Sequence, residues 1–281
     1  MARRNVMLQH QQQIYNELSG AGVLDLNQLY QICTNMTEKG LIPYSKSFKY
    51  IYEFLIHIGL TVHVVSFRGR IVERYSINKP DTFQFAVTLM KNSFFSMTTA
   101  LNLQGLANDR PEYIFISREL TKKNIPPTSL TQDQIDNAFK KPYRLTSNHG
   151  EFKSNYIVLL EPKYTKNYEI IDYNGYKMSS VNRAFVEMVV NVQYFKGMDK
   201  IVVLYKPLKI HLDLTKIYNT IKIFDFIYPY FQLFGYILEE IGFTKDELNS
   251  FKLQVGKFKF YTEKNKNKYL FNKYWQIYYT H

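Results

Sequence analysis

The sequence predicts an α+β protein in two parts: an N-terminal winged helix-turn-helix followed by a larger mixed α/β C-terminal domain. Three observations predict it. Within the first eighty residues, three short amphipathic segments precede two β-rich runs split by a glycine turn. After a polar break at Asn78-Lys79-Pro80-Asp81, strand patterns come first and helical patterns later. The chain has 281 residues, 46% of them hydrophobic, which exceeds one small module and can bury a core in each of two. The boundary is drawn after residue 80, giving domains 1–80 and 81–281.

Residues 6–19 place Val6, Leu8, Ile14 and Leu18 among glutamines, a helix closed by Gly20 and Gly22. Asp25 caps a second helix, on which Leu26, Leu29, Ile32, Cys33 and Met36 recur at helical spacing until Gly40. Ser45 opens a third, with Phe48, Ile51, Leu55 and Ile58 inward, Lys46, Lys49, Tyr50 and Glu53 outward, and Gly59 as its stop. Residues 61–67 and 71–77 then form a hairpin about Arg68-Gly69-Arg70.

In a winged helix-turn-helix the third helix enters the major groove with its N-terminal residues at the base edges. Ser45, Lys46, Ser47, Lys49 and Tyr50 take those positions, and the wing tip offers Arg68 and Arg70 to the backbone or minor groove. The expected partner is double-stranded DNA. The competing reading is a winged helix that binds protein; the cationic third helix and tip favour DNA. His57 and His63 have no third ligand nearby and read as packing or surface residues.

Charge points the same way. The net charge is +12 with a pI near 9.4, an excess that attracts polyanions. Residues 1–80 hold nine Lys/Arg against five Asp/Glu, and residues 251–281 hold seven Lys against one Glu, so either end can meet phosphate. The 24 Tyr and 21 Phe against one Trp suit A·T-rich coding as well as any binding role. A single Cys33 excludes a disulfide framework and a multi-cysteine zinc site. No apolar run of signal-peptide length follows the basic start, and none reaches the roughly 18 residues of a membrane span; the expectation is a cytoplasmic protein.

Beyond residue 80, helices are predicted over 82–91, 96–106 (capped by Ser96, closed by Gly105), 132–140, 181–192, 200–205, 213–224, 228–241 and 245–250. Strands are predicted over 112–118, 152–160 and 168–173, with a turn at Asn174-Gly175, a loop at 125–129 and a basic tail at the end. No phosphate loop, zinc-binding HExxH, nucleophile elbow or CxxC occurs, and no cofactor, metal or catalytic residue is expected. One fragment carries a different chemistry. Glu161-Pro162-Lys163 ends a predicted strand with Asp133, Asp136 and Glu151 upstream, as in metal-dependent nucleases that hold Mg²⁺ with acids beside a Glu-x-Lys. The plainer reading is a solvated charge pair at a strand end.

Ser96, Thr99-Ala100-Leu101, Leu103, Gly105-Leu106, Pro111 and the strand 113–117 form one ordered motif. Ser180, Arg183 and Glu187 form a second, and Phe195-Lys196-Gly197-Met198 and Tyr228-Pro229 through Gly235, Leu238 and Glu239 follow. In this order, and with the N-terminal helices and hairpin, residues of about 10–245 resemble the AbiEi family, the antitoxin half of type IV toxin–antitoxin systems in bacterial phage defence. Gln104 stands where family members usually have His. The resemblance implies that the winged helix represses its own operon and that the C-terminal domain counters a nucleotidyltransferase-like toxin, with no stable complex required. It marks Thr99, Gly105, Arg183, Glu187, Tyr228 and Pro229 as motif positions, none of them catalytic. On the residues alone, Arg183 and Glu187 at i, i+4 read as a surface pair contributing a few tenths of a kcal/mol. Tyr228-Pro229 reads as a helix start with proline in the first turn. Two other functions stay open: a regulator whose larger domain senses a ligand, and a nuclease using Glu161 and Lys163.

Overall fold

The computed structural model describes residues 5–107, 112–122 and 129–280. The fold is mixed α+β, in two compact units. One takes Met1–Lys91 and Ser147–Val158, the other Asn92–Thr146 and Leu159–His281. Pro111 and most of the loop predicted at 125–129 lie outside the described residues.

The chain opens with α1 (Val6–Gln9), α2 (Gln11–Ala21), α3 (Leu26–Glu38), α4 (Phe48–His57), β1 (Thr61–Phe67), β2 (Arg70–Ser76) and α5 (Thr82–Ala86). Then come β3 (Phe94–Phe95), α6 (Met97–Leu103), β4 (Tyr113–Ser117) and α7 (Gln132–Phe139), followed by the hairpin β5 (His149–Phe152) and β6 (Asn155–Leu160) and the hairpin β7 (Ile170–Tyr173) and β8 (Tyr176–Ser179). A helical stretch holds α8 (Val181–Val190), α9 (Met198–Tyr205), α10 (Leu214–Phe224), α11 (Tyr230–Ile241) and α12 (Asn249–Lys252). The C-terminal segment folds as β9 (Phe260–Tyr261), β10 (Leu270–Asn272) and β11 (Ile277–Tyr279).

In the first unit the apolar stripes read from the sequence meet in one core. Ile14 and Leu18 of α2, Leu29, Cys33 and Met36 of α3, and Ile51 and Leu55 of α4 surround Leu24, Tyr75 and Ile77. Each such burial contributes about 1.5–3 kcal/mol against exposure. Burial also pushes the Cys33 thiol up to about 11, which leaves it an inert core residue. Asp25 caps α3 through a reciprocal pair: it accepts the Gln28 N–H at 2.8 Å while the Gln28 side chain accepts the Asp25 N–H at 2.8 Å. Leu24, between α2 and α3, exchanges two backbone hydrogen bonds with Tyr75 of β2.

β1 and β2 pair antiparallel from Thr61↔Ser76 to Phe67↔Arg70. The turn is therefore two residues, Arg68 and Gly69, both at positive φ, which twists with the strands; Arg70 belongs to β2 rather than to the turn. The strand predicted over 152–160 is in fact a hairpin that turns at Lys153-Ser154, and its first strand, β5, lies on β1. Gly150 permits this approach: a Cβ there would sit 2.7 Å from the Ser66 carbonyl oxygen and 2.6 Å from Val65 Cγ1. Phe152 stacks on Phe85 at 3.8 Å, His63 meets both rings edge-on, and Lys153 Nζ donates to the Pro80 carbonyl at 2.6 Å. Burial, then the Lys153 charge, hold the His63 imidazole below its ordinary range, and its Nε2 pairs with Ser76 Oγ at 2.8 Å.

In the second unit β4, β3, β8 and β7 lie side by side, with α6 and α8 packed together and α10 against α8. The Asn174-Gly175 turn closes the β7–β8 hairpin as predicted, both residues at positive φ. The segment 6–19 divides at His10, the helix predicted at 82–91 ends at Ala86, and that at 245–250 shifts to Asn249–Lys252. The expected basic tail is folded: β9–β11 form a sheet around Trp275, which is fully buried. Its ring lies where a Cβ on Gly235 would fall, 2.1 Å from Cζ3, and its Nε1–H donates to Glu239. Gly235 and Glu239 of α11 thus act on one indole.

Candidate functional site

In the first unit the third helix begins later than predicted. Lys46 N–H closes a turn on the Pro43 carbonyl at 3.1 Å, and the cap is Ser47, whose Oγ accepts the Tyr50 N–H at 3.4 Å. Ser45 and Lys46 therefore lie in the turn ahead of α4, and Lys49 and Tyr50 in its first helical turn. All five candidates, Ser45, Lys46, Ser47, Lys49 and Tyr50, are exposed. Lys46 Nζ sits 4.0 Å from the centre of the Tyr50 ring, and neither Lys46 nor Lys49 has a carboxylate partner among the described residues. Tyr44, at 81% exposure, adds an aromatic surface that the helical reading missed because it precedes the helix. At the hairpin turn Arg68 and Arg70 are exposed as well, and neither forms an ion pair among the described residues.

In the second unit Thr99, Arg183 and Glu187 lie inside, Tyr228 and Pro229 are half-buried and Gly105 is exposed. Arg183 of α8 is fully buried, and its charge is met by two carboxylates whose side chains are each 6% exposed. Nε donates to Glu187 at 2.7 Å; Nη1 donates to Glu119 at 3.0 Å, Thr165 Oγ1 at 2.8 Å and the Tyr168 carbonyl at 2.7 Å. The guanidinium lies 4.9 Å from the Phe94 ring centre and 5.2 Å from that of Phe224. Glu187 also accepts Ser179 Oγ–H at 2.8 Å and the Met97 N–H at 3.3 Å, tying β8 and α6 to α8. Burial pushes the Glu119 carboxyl up, but hydrogen bonds from Thr165 and Asn167 and the Arg183 charge outweigh it and hold the group below its ordinary range.

The i, i+4 pair is thus not a surface pair. The sequence could not show this, because Glu119 stands 64 residues from Arg183 and burial leaves no mark on the spacing. Thr99, fully buried in α6, accepts the Phe115 N–H of β4 at 2.8 Å, and Gly105 ends that helix at φ +71°. Gln104 donates to the Ser179 carbonyl at 3.0 Å. Pro229 is the residue ahead of α11 rather than part of its first turn, and Tyr228 precedes it. The structure brings Arg183, Glu187 and Thr99 into one packed region as framework, their polar groups engaged except for Arg183 Nη2.

Glu161 and Lys163 have separate partners: Glu161 pairs with Arg118, and Lys163 Nζ donates to the Asp225 carbonyl at 2.9 Å and to its carboxylate at 3.2 Å. Among the described residues no group of three or more His, Cys, Asp or Glu is placed to hold a metal ion. Asp136 instead accepts the Tyr261 hydroxyl at 3.0 Å.

A cavity of about 460 Å³ opens in the same unit between the end of α7, the segment after it, α11 and β9. Phe139, Tyr143, Tyr228, Tyr230, Phe260 and Tyr261 supply its aromatic walls, and Lys141, Arg144 and Lys264 its charges.

The fold has a solved counterpart. The crystal structure of the RV2827C protein from Mycobacterium tuberculosis covers 98% of this chain and 90% of its own, with a TM-score of 0.55 and 12% sequence identity. At that identity the likeness concerns the fold alone. No family model and no curated protein matches the chain. Among the described residues no helix is long and apolar enough to cross a membrane.

Proposed function

We propose that this chain is a DNA-binding transcriptional repressor of its own operon and the antitoxin to a nucleotidyltransferase-like toxin in phage defence. The observation that carries the DNA-binding half is local. Leu24 pairs with Tyr75, and the order helix, bridge, helix, helix, hairpin supports the winged helix-turn-helix reading, in which α4 with the turn before it and the hairpin turn offer Lys46, Lys49, Arg68 and Arg70, all exposed and without an ion pair among the described residues. Lys46 and Arg68 lie in turns, where backbone phosphate is the natural partner; Lys49 and Tyr50 lie at the start of α4, where base edges are reached. The antitoxin half rests on the AbiEi resemblance, whose motif residues in this chain are framework.

The test uses the full chain. Fluorescence anisotropy against the duplex upstream of its gene is expected to show saturable binding that Lys46→Glu with Lys49→Glu weakens by at least an order of magnitude. Unchanged affinity in a folded double variant removes α4 from the groove. Coexpression with the neighbouring toxin is expected to show rescue that survives Glu161→Ala with Lys163→Ala; loss of rescue with an unchanged melting temperature makes that strand end catalytic. A second reading, a regulator whose larger unit senses a ligand, is favoured by the aromatic cavity.

A further inference from the structure

The cavity of the second unit has a chemistry that the repressor reading does not use. Its walls are rings in mutual contact: Tyr228 lies near-parallel to Phe260 at 5.8 Å, Tyr230 meets Phe260 edge-on at 5.3 Å, and Phe139 stacks with Tyr261 at 5.1 Å. Such walls present flat π-faces and hold their shape without a ligand. The Tyr228 and Tyr230 hydroxyls make no hydrogen bond among the described residues, whereas Tyr143 OH accepts the Lys264 N–H at 3.0 Å.

The charges around it are of one sign. Lys141, Arg144 and Lys264 line the cavity, and no acidic residue does. None of the three forms an ion pair among the described residues; Lys264 Nζ merely faces the Phe139 and Tyr143 rings at 5.5 and 5.7 Å. Two acids close to the lining residues in sequence, Asp136 and Glu263, are committed elsewhere. Asp136 is bound to Tyr261 and Gln132, and Glu263 to Lys266 at 2.6 Å and to the Met198 N–H at 3.0 Å. Three unneutralised cations beside an aromatic cavity form a local positive potential that a neutral ligand would leave unused.

We propose that this cavity binds a nucleoside polyphosphate, its base against the half-buried Tyr228 ring, which Phe260 backs from the interior, and its phosphates on Lys141, Arg144 and Lys264. A base supplies a flat apolar face of the kind such rings stack on, and a polyphosphate supplies the charge that the three cations lack. A volume of about 460 Å³ lies within the range of small-ligand and cofactor sites. The inference stands apart from DNA binding by the first unit and survives its failure.

The experiment is isothermal titration calorimetry on the full chain with ATP, GTP, CTP and UTP, and with adenosine, guanosine, inorganic triphosphate and a short single-stranded oligonucleotide as controls. At least one nucleoside triphosphate is expected to bind at one site per chain, more tightly than its nucleoside and more tightly than inorganic triphosphate, by about tenfold each. Lys141→Ala with Arg144→Ala, both at exposed positions, and separately Tyr228→Ala, are each expected to weaken it by about tenfold, with Trp275 fluorescence confirming that the unit stays folded. Three results overturn the proposal. They are no saturable binding of any nucleoside triphosphate at millimolar concentration, inorganic triphosphate binding as tightly as the nucleotide, or a single strand binding more tightly than the nucleotide with sensitivity to the same variants.

Discussion

Arg183→Met replaces a buried guanidinium with an apolar chain of similar length. The side chain is fully buried and makes four hydrogen bonds, two of them to carboxylates. Its removal leaves Glu119 with Thr165 and Asn167, and Glu187 with Ser179 and Met97, two buried carboxylates with no cation between them. Breaking such a pair by removing one partner costs about 3–5 kcal/mol, mostly as the penalty of the charges left behind. In a unit of this size that lowers the melting temperature by on the order of 10 °C. Arg183→Lys keeps the charge but not the fork, and falls between. The assay is thermal melting followed by tryptophan fluorescence, since the single Trp275 is buried in the unit that holds Arg183. The pH dependence gives the sharper check. The Glu119 carboxyl is held below its ordinary range in the folded protein, so its contribution is fully present above the unfolded-state carboxylate pKa and is lost as pH falls through the folded value. Without Arg183 the Glu119 carboxyl loses one of the interactions that hold it low and takes up a proton more readily, which removes its repulsion with Glu187. The gap between wild type and Arg183→Met therefore narrows as the pH falls from 7 toward 4. A small loss, or a gap that does not change with pH, refutes the account of Arg183 as the counter-charge of this region.

Three further outcomes are expected. Gly235→Ala drives a methyl into the Trp275 ring, costing about 1–3 kcal/mol, and the displaced indole shifts its emission to the red; unchanged emission and stability refute the contact. Gly150→Ala places a Cβ against the β1 backbone and loosens β5 from β1, read as faster amide hydrogen exchange in both strands; a clash relieved without faster exchange means the hairpin does not brace β1. If the full chain binds duplex DNA as proposed, Arg68→Ala and Arg70→Ala each flatten the slope of log affinity against log salt by about 0.9 and leave sequence preference intact, whereas a changed preference with an intact slope makes the turn a base reader.

Where local chemistry decides the structure, the sequence was legible. Asp25 and Gln28 cap α3, and Arg68-Gly69 and Asn174-Gly175 turn their hairpins, because two-residue turns need residues that tolerate positive φ. The start of α4 was legible only to within two residues. Ser45 and Ser47 both can cap, and the turn closed by Pro43 and Lys46 decides between them. The β5–β6 hairpin was read as one strand because Lys153-Ser154 carries no glycine to mark a turn. Residues 251–281 read as a basic tail because their lysines outnumber acids seven to one. Their fold instead depends on Trp275 finding a glycine forty positions earlier, which no local pattern contains.

The same distinction bears on what the family resemblance can mean for function. Thr99 accepts a strand amide, Gly105 ends a helix, Arg183 and Glu187 join α8 to β8 and α6, and Gly235 with Glu239 seats the indole. The polar side chains among these residues are hydrogen-bonded to their neighbours in the fold, apart from a single Arg183 Nη2 that faces no acceptor. A side chain so engaged cannot also hold a partner without breaking the fold that presents it. Resemblance at such positions therefore speaks to how the larger unit closes, and two proteins can share it while touching different molecules. The groups free to make contacts are others: Lys46, Lys49, Arg68 and Arg70 in the first unit, and Lys141, Arg144 and Lys264 in the second. Of the residues marked by the resemblance, Tyr228 alone reaches both sets of roles, since it precedes α11 and also forms a wall of the aromatic cavity. Substitution there separates the two: Tyr228→Phe keeps the ring and its packing while removing the unengaged hydroxyl, so any change it makes in binding belongs to the cavity and not to the framework.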